Sequence, residues 1–233
     1  MNLVKLIQCA ALIATCVLPV APVATASAQP CPDVEVVFAR GHSEPPGVGQ
    51  TGQSFVDALR AQAGNRSVGA YPVNYDANAN ILDRIAFAGT VIDGIRDAST
   101  HIETMAANCP RTRMVLGGYS EGAAVAGYTT ADVIPPGLPV ELQQELPEPM
   151  PPAMADHVAA VVLLGMPSDE FMRGIGAPPI VIGPRYADKT LKLCTLADNV
   201  CDGSPAGLPS IVHQLYPVNG MTIQAAGFVV ARL

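Results

Sequence analysis

The residues best suited to covalent chemistry are Gly118-Tyr119-Ser120-Glu121-Gly122, a serine with a glycine two places away on each side. A serine hydroxyl is a weak nucleophile at neutral pH until a neighbouring base takes its proton. The motif therefore calls for a histidine, and for an acid to orient it. The run before it, residues 111–116 (RTRMVL), reads as a short buried strand, and residues 123–128 (AAVAGY) are small and helix-compatible. Strand, G-x-S-x-G and helix together are the layout of a nucleophile elbow. The turn is sharp, so the residues two before and two after the serine must lack side chains that would strike the strand and helix packed beside it. It lifts the serine oxygen above the sheet, and the helix N-terminus behind it favours developing negative charge. The competing reading is a tight packing turn that carries an incidental serine.

In hydrolases built on such an elbow the chain order is serine, acid, histidine. Two histidines follow Ser120. His157 sits just before a long apolar run, at the N-terminal end of the strand it predicts and across the sheet from the elbow. His213 lies in a loop after the last predicted strand and is the better base. Candidate acids are Asp156, Asp169, Glu170, Asp188, Asp198 and Asp202. The acid should follow the C-terminal end of a strand, where the elbow also points, and this leaves Asp198 and Asp202. Asp198 lies between Cys194 and Cys201, in a loop that a disulfide would rigidify, and Asp202 lies just outside it.

These groups need a scaffold. Residues 34–39 (VEVVFA) predict the first core strand, which empties into the Gly- and Pro-rich loop 40–49. A helix is expected over 52–63, a strand over 67–73, and a longer helix from Asn80 to about residue 107. Asn80 and Asp83 supply the start signal of that helix, and Ile85, Ile92, Ile95, Ile102 and Met105 one buried face. Residues 134–152 hold seven prolines and predict an irregular surface excursion. The nearly unbroken apolar run 158–164 (VAAVVLL) is what a strand covered on both faces requires. Residues 191–194 are expected to form the last strand and 220–230 a closing helix. Strands alternating with helices give the α/β class, a three-layer α/β/α sandwich with a mostly parallel central sheet.

Residues 1–28 read as a secretory leader: Lys5, an apolar stretch over 6–20, and the small-residue cleavage site Ala26-Ser27-Ala28. The remaining 205 residues, 29–233, are expected to form one domain. Removing Lys5 from the 13 Lys and Arg leaves 12 against 20 Asp and Glu, a net charge of −8 with no basic stripe, which excludes a nucleic-acid partner. No second apolar run is long enough to insert stably in a membrane. Cys31, Cys109, Cys194 and Cys201 are an even set in an exported chain and predict two disulfides. Cys194 and Cys201 close a small loop, and Cys31 is left with Cys109. Their spacing lacks the paired C-x-x-C units of a zinc site, so no metal is expected.

Ala39-Arg40-Gly41, Gly118-Tyr119-Ser120-Glu121-Gly122 and Cys194-x-x-x-Asp198-x-x-Cys201-x-Gly203, followed by His213, resemble the cutinase family, and within it the secreted bacterial cutinase-like esterases. The resemblance covers nearly all of the chain after the leader. It implies an α/β-hydrolase fold with Ser120 as nucleophile, Asp198 as orienting acid and His213 as base. It also implies the disulfides Cys31–Cys109 and Cys194–Cys201, and an oxyanion hole at His42 and Glu121. The family usually carries a hydroxyl residue where this chain has His42, and glutamine where it has Glu121. The main-chain N–H donors survive both changes. The expected activity is hydrolysis of carboxylic esters (medium-chain acyl esters, lipids or cutin-like polyesters) by a secreted or cell-wall-associated monomer without cofactor. The alternatives are an acyltransferase on the same residues and a non-catalytic lipid-binding protein on the same scaffold.

Overall fold

A computed structural model describes residues 31–233 except 82, 136, 137 and 139, so the leader expected at 1–28 lies outside the described residues. The β-rich runs form β1 (Val34–Ala39), β2 (Val68–Pro72), β3 (Arg113–Tyr119), β4 (Val158–Leu164) and β5 (Thr190–Leu193). They lie in one sheet in the order β2-β1-β3-β4-β5, every neighbouring pair parallel. Parallel neighbours cannot be joined by hairpins, so each connection crosses back over the sheet. The crossings carry α1 (Gly49–Gln62), α2 (Arg84–Asn108), α3 (Glu121–Thr129), the one-turn helices α4 (Val140–Gln143) and α5 (Met154–His157), and α6 (Asp169–Ile175). The helix α7 (Met221–Val230) closes the chain.

Strand side chains alternate between faces, and the two faces are covered by different helices. Phe38, Val115 and Val162 pack with Phe55 and Leu59 of α1 and with Ala225 and Val229 of α7. Val37, Leu116 and Leu163 pack with Ile95 and Ile102 of α2 and with Val125 of α3. This is the three-layer sandwich. All seven residues of β4 are buried, as its apolar run requires. Met114 pairs with Val158 but Val115 with Ala160, so Ala159 is an extra residue in β4. The bulge lets Val158 share the α2 face with Val161 and Leu163 despite the odd spacing.

Some boundaries differ from expectation. The helix α2 starts at Arg84 because Asp83, with φ −88° and ψ 87°, leaves the helical region and caps it by accepting from the Ala86 N–H; Asn80 lies in the turn before it. The helix α1 starts at Gly49, earlier than the Gly52 expected, because the Glu44 carboxylate reaches the Thr51 N–H (2.8 Å) and hydroxyl (2.9 Å) from outside the helix. The seven-residue α6 is capped by Ser168 and closed by left-handed Gly176, and is too short for its periodicity to be read.

Strand order places the site. The chain runs from β1 to β2 on one flank, then returns to set β3 on the other flank of β1, with α1 and α2 on opposite faces. The loops leaving the C-terminal ends of β1 and β3 therefore diverge and open a crevice, the usual ligand position in such sheets. His42 follows β1, and Ser120 follows β3.

Cys31–Cys109 and Cys194–Cys201 are disulfides with Cα–Cα distances of 5.6 and 5.7 Å. Neither pair has a thiolate free to bind zinc. Closing the 78-residue separation constrains the unfolded chain by about 4–5 kcal/mol, and the 7-residue one by about 2–3 kcal/mol.

Candidate active site

Ser120 sits between β3 and α3 with φ 54° and ψ −119°, a conformation that side chains seldom adopt. A Cβ on Gly118 would lie 2.0 Å from the Gly122 carbonyl oxygen, and one on Gly122 would lie 2.0 Å from that of Ala39. Backbone contacts this close admit only glycine at both places. The Ser120 N–H donates to the Leu164 carbonyl (2.9 Å), which fixes the elbow to the end of β4.

Ser120 Oγ lies 2.8 Å from His213 Nε2, and His213 Nδ1 lies 2.8 Å from Asp198 Oδ2 and 2.9 Å from Oδ1. Asp198 is fully buried and His213 nearly so. A carboxylate accepts from Nδ1–H, so Nε2 presents its lone pair to the serine hydroxyl. Burial pushes the Asp198 carboxyl upward, but hydrogen bonds from His213, Tyr216 and the Val200 N–H outweigh it and hold the group below its ordinary 3.8. The acid is therefore ionised at neutral pH. The three groups form a chain along which a proton can leave the serine.

Asp198 is aimed by its turn. Ala197 has φ 64°, the Asp198 N–H donates to the Thr195 carbonyl, and the Asp198 carbonyl accepts from Cys201 and Asp202. Asn199 accepts from the Ser210 N–H (2.8 Å), and the Ser210 hydroxyl donates to the Ala197 carbonyl (3.0 Å). These bonds tie the acid's loop to the 3₁₀ turn Ile211–Leu215 that carries His213. Asp202 is exposed and accepts from Ser204 instead. His157 ends α5, immediately before β4, and so stays at the opposite end of the sheet from Ser120.

Two tyrosines were not singled out in the sequence. The fully buried Tyr216 accepts from the Thr195 N–H (3.0 Å) and donates to Asp198 Oδ2 (2.7 Å). Burial raises its hydroxyl far above the ordinary 10.0, so it stays a donor. Tyr119 donates to the His213 carbonyl, and its ring lies 5.1 Å from the imidazole. Tyr216 was legible in principle, because residues three apart in a 3₁₀ turn eclipse and it stands three after His213. Tyr119 carries no such signal.

The loop after β1 is pinned by Glu44, which accepts from the Gly41 N–H (2.7 Å) and from both donors of Thr51, and by Arg40 Nη2, which donates to the Tyr75 carbonyl (2.9 Å). Neither the His42 nor the Glu121 main-chain N–H donates to another described residue. Glu121 is the first residue of α3, where such a donor has no helical acceptor. The two side chains meet, His42 Nδ1 lying 3.1 Å from Glu121 Oε2.

The disulfide loop makes reduction a test. Titration of the folded, unreduced mature chain, residues 29–233 without Cys9 and Cys16 of the leader, with a thiol reagent is expected to find no free cysteine, and reduction to abolish ester hydrolysis as Asp198 loses its fixed position. Two or more thiols before reduction, or full activity after it, would refute this role for Cys194–Cys201.

Residues 30–233 match the family model described as Cutinase. The chain is 53% identical to "Probable carboxylesterase Culp7" of Mycobacterium tuberculosis over 173 residues, 74% of this chain and 89% of that one. It is 44% identical to "Phospholipase Culp4" of the same organism over 232 residues, 100% of this chain and 92% of the other. Among solved structures it resembles Trichoderma reesei cutinase in complex with a C11Y4 phosphonate inhibitor, with TM-score 0.64 and 30% identity over 87% of this chain and 77% of that one.

Proposed function

The chain belongs to the cutinase family and hydrolyses carboxylic esters, and from that premise we propose that Ser120, His213 and Asp198 carry the reaction. Ser120 Oγ attacks the ester carbonyl carbon while its proton passes to His213 Nε2. Asp198 holds Nδ1–H and so stabilises the imidazolium that forms. The oxyanion accepts from the main-chain N–H groups of His42 and Glu121, where the N-terminal end of α3 adds its dipole. Collapse of the tetrahedral adduct expels the alcohol, which takes its proton from His213. Water, deprotonated by the same imidazole, then hydrolyses the acyl-enzyme.

The observation that carries this reading is the continuous hydrogen-bonded chain from Ser120 Oγ through His213 to Asp198. The substrate class is read from exposed apolar residues on the loops that carry the triad and at the start of α2. Leu196, Leu208 and Ile211 are exposed on the segments that carry Asp198 and His213, and Ile81 and Ile85 are exposed around the start of α2. An open apolar margin of this kind suits medium-length acyl esters and lipids. The two disulfides fit an oxidising compartment, and with the expected leader they support an extracellular enzyme of residues 29–233.

A fluorophosphonate probe, followed by intact-mass analysis and peptide mapping, is expected to give one adduct, on Ser120. In a p-nitrophenyl ester series, kcat/KM should peak at intermediate acyl length. Hydrolysis without a Ser120 adduct would overturn the assignment, and a protein that neither reacts nor hydrolyses would be a binding module.

A further inference from the structure

The two main-chain donors just assigned to the oxyanion come from segments 79 residues apart, one in the loop after β1 and one at the start of α3. Donors serve a developing oxyanion only if they converge on one point before the reaction begins. The backbone ties of the first loop hold its neighbours, Gly41 through Glu44 and Ser43 through the Ala77 carbonyl. What joins the two donor-bearing residues directly is a contact between their own side chains, His42 Nδ1 to Glu121 Oε2. The carboxylate is an unusual group to find there. Its residue is only 6% exposed, and its other oxygen, Oε1, has no hydrogen-bond partner among the described residues. A buried polar atom left without a partner calls for an explanation. Among the described residues the imidazole is therefore the one hydrogen-bond partner of the buried Glu121 carboxylate, beside a site where negative charge must develop.

We propose that His42 and Glu121 form a positioning pair: their side chains clamp the loop after β1 to the N-terminus of α3, so that both main-chain N–H groups face one point, and the imidazolium cancels the carboxylate charge that would oppose the oxyanion. This rests on the reading of Ser120 and of those two donors given above. Both residues act through their backbone donors and through charge.

The surroundings set the sign of the pH dependence. The hydrogen bond to Glu121 raises the His42 imidazole above its ordinary 6.5, against burial, which lowers it; the charges of Glu121 and Asp76 add to the rise. Burial raises the Glu121 carboxyl above its ordinary 4.5, against the bond and charge of His42 and the charge of Arg40, while Asp76 adds to the rise. The buried Tyr75 hydroxyl donates to the Arg40 carbonyl and stays neutral, and α2 presents the apolar Phe87 ring, 6.1 Å from the imidazole. As pH climbs past the raised value of His42, the imidazolium loses its proton and leaves the carboxylate beside the oxyanion offset by the Arg40 charge alone. The maximal rate must then fall on the alkaline side, with substrate binding little affected.

The test is kcat and KM on p-nitrophenyl butyrate from pH 6 to 10 for the full secreted chain, with thermal unfolding to confirm the fold and fluorophosphonate labelling of Ser120. In the wild type, kcat is expected to fall roughly tenfold across an alkaline limb while KM stays flat, the size of effect one unit charge exerts near a partly buried centre. Glu121→Gln keeps a hydrogen-bonding tie without the charge and should abolish that limb. His42→Ala removes the carboxylate's hydrogen-bonded counter-charge and leaves only the more distant one of Arg40, and should lower kcat at pH 8 by about 10–100-fold, less than the loss of a whole oxyanion donor. Adding Glu121→Gln to His42→Ala should recover the part of that loss owed to charge, roughly tenfold, and leave the part owed to the lost clamp, a partial rescue that a merely structural contact would not give. An alkaline limb unchanged in Glu121→Gln, or a double variant no faster than His42→Ala, would overturn the proposal. A wild type that hydrolyses without labelling at Ser120 would overturn the serine reading and this one together; with Ser120 labelled, the variants judge the pair alone.

Discussion

Ser120→Ala is expected to lower kcat by on the order of 10⁶ while the protein stays folded, the scale of loss when a serine nucleophile is removed from such a hydrogen-bonded unit. The size follows from what is lost. Without Oγ no acyl-enzyme forms, and His213 is left with no proton to move. Residual catalysis would come from the oxyanion donors and from binding alone. The fold should survive because the elbow depends on Gly118, Gly122 and the Ser120 N–H bond to Leu164, none of which alanine disturbs. Alanine also inherits the same left-handed φ, so the backbone strain is unchanged. The check is steady-state hydrolysis beside thermal unfolding. A folded variant retaining more than about one per cent of wild-type kcat would show that another group is the nucleophile.

The second large effect is at Asp198, where Asp198→Asn is expected to cost about 10⁴ in kcat by setting the wrong imidazole tautomer. The carboxylate accepts from three donors: His213 Nδ1–H, the Tyr216 hydroxyl and the Val200 N–H. An asparagine has one acceptor oxygen. If that oxygen serves Tyr216 and Val200, its NH₂ faces Nδ1, the proton moves to Nε2, and Ser120 meets a donor where it needs an acceptor. Stability should fall as well. The folded Asp198 pKa is depressed, so its ionisation stabilises the fold above the unfolded value of 3.8, and that contribution is lost as pH falls through the lower folded value. The amide lacks it at every pH. Two comparisons sharpen the test. Asp202→Asn, at an exposed residue bonded to Ser204, should change kcat less than about threefold, as surface changes usually do. Tyr216→Phe should fall between, since it removes one donor from the buried Asp198 and strands the half-buried Thr195 N–H, at about 1–3 kcal/mol in stability. If Asp202→Asn proved the more damaging change, the acid would be Asp202.

What could be read from the sequence was whatever a local steric rule dictates. The glycines around Ser120 follow from backbone contacts that admit no side chain, and a seven-residue apolar run rich in β-branched valine suits a strand covered on both faces. Position along the chain left the choice between Asp198 and Asp202 nearly open, because both follow β5 closely, and the resemblance implied Asp198. It turns on the left-handed Ala197 and on bonds from Asn199 and Ser210, which involve residues up to 13 apart. Tyr119 stood inside the recognised motif, yet its bond reaches the His213 carbonyl, 94 residues away. The His42–Glu121 contact was hidden for the same reason. Each residue could be placed by resemblance, but their meeting depends on how β1 and β3 sit side by side.

The strand order also bears on how the chain reaches its active form. No strand pairs with a neighbour through a local hairpin, so each pairing waits for a crossover to close. Ser120 and His213 are 93 residues apart, and the bond between them needs β3, β4 and β5 already in register, with the last 3₁₀ turn docked against Tyr119. Helices can form early, each within its own segment, and contribute nothing to turnover. The ability to hydrolyse an ester thus requires, and reports on, the long-range order of the whole sheet.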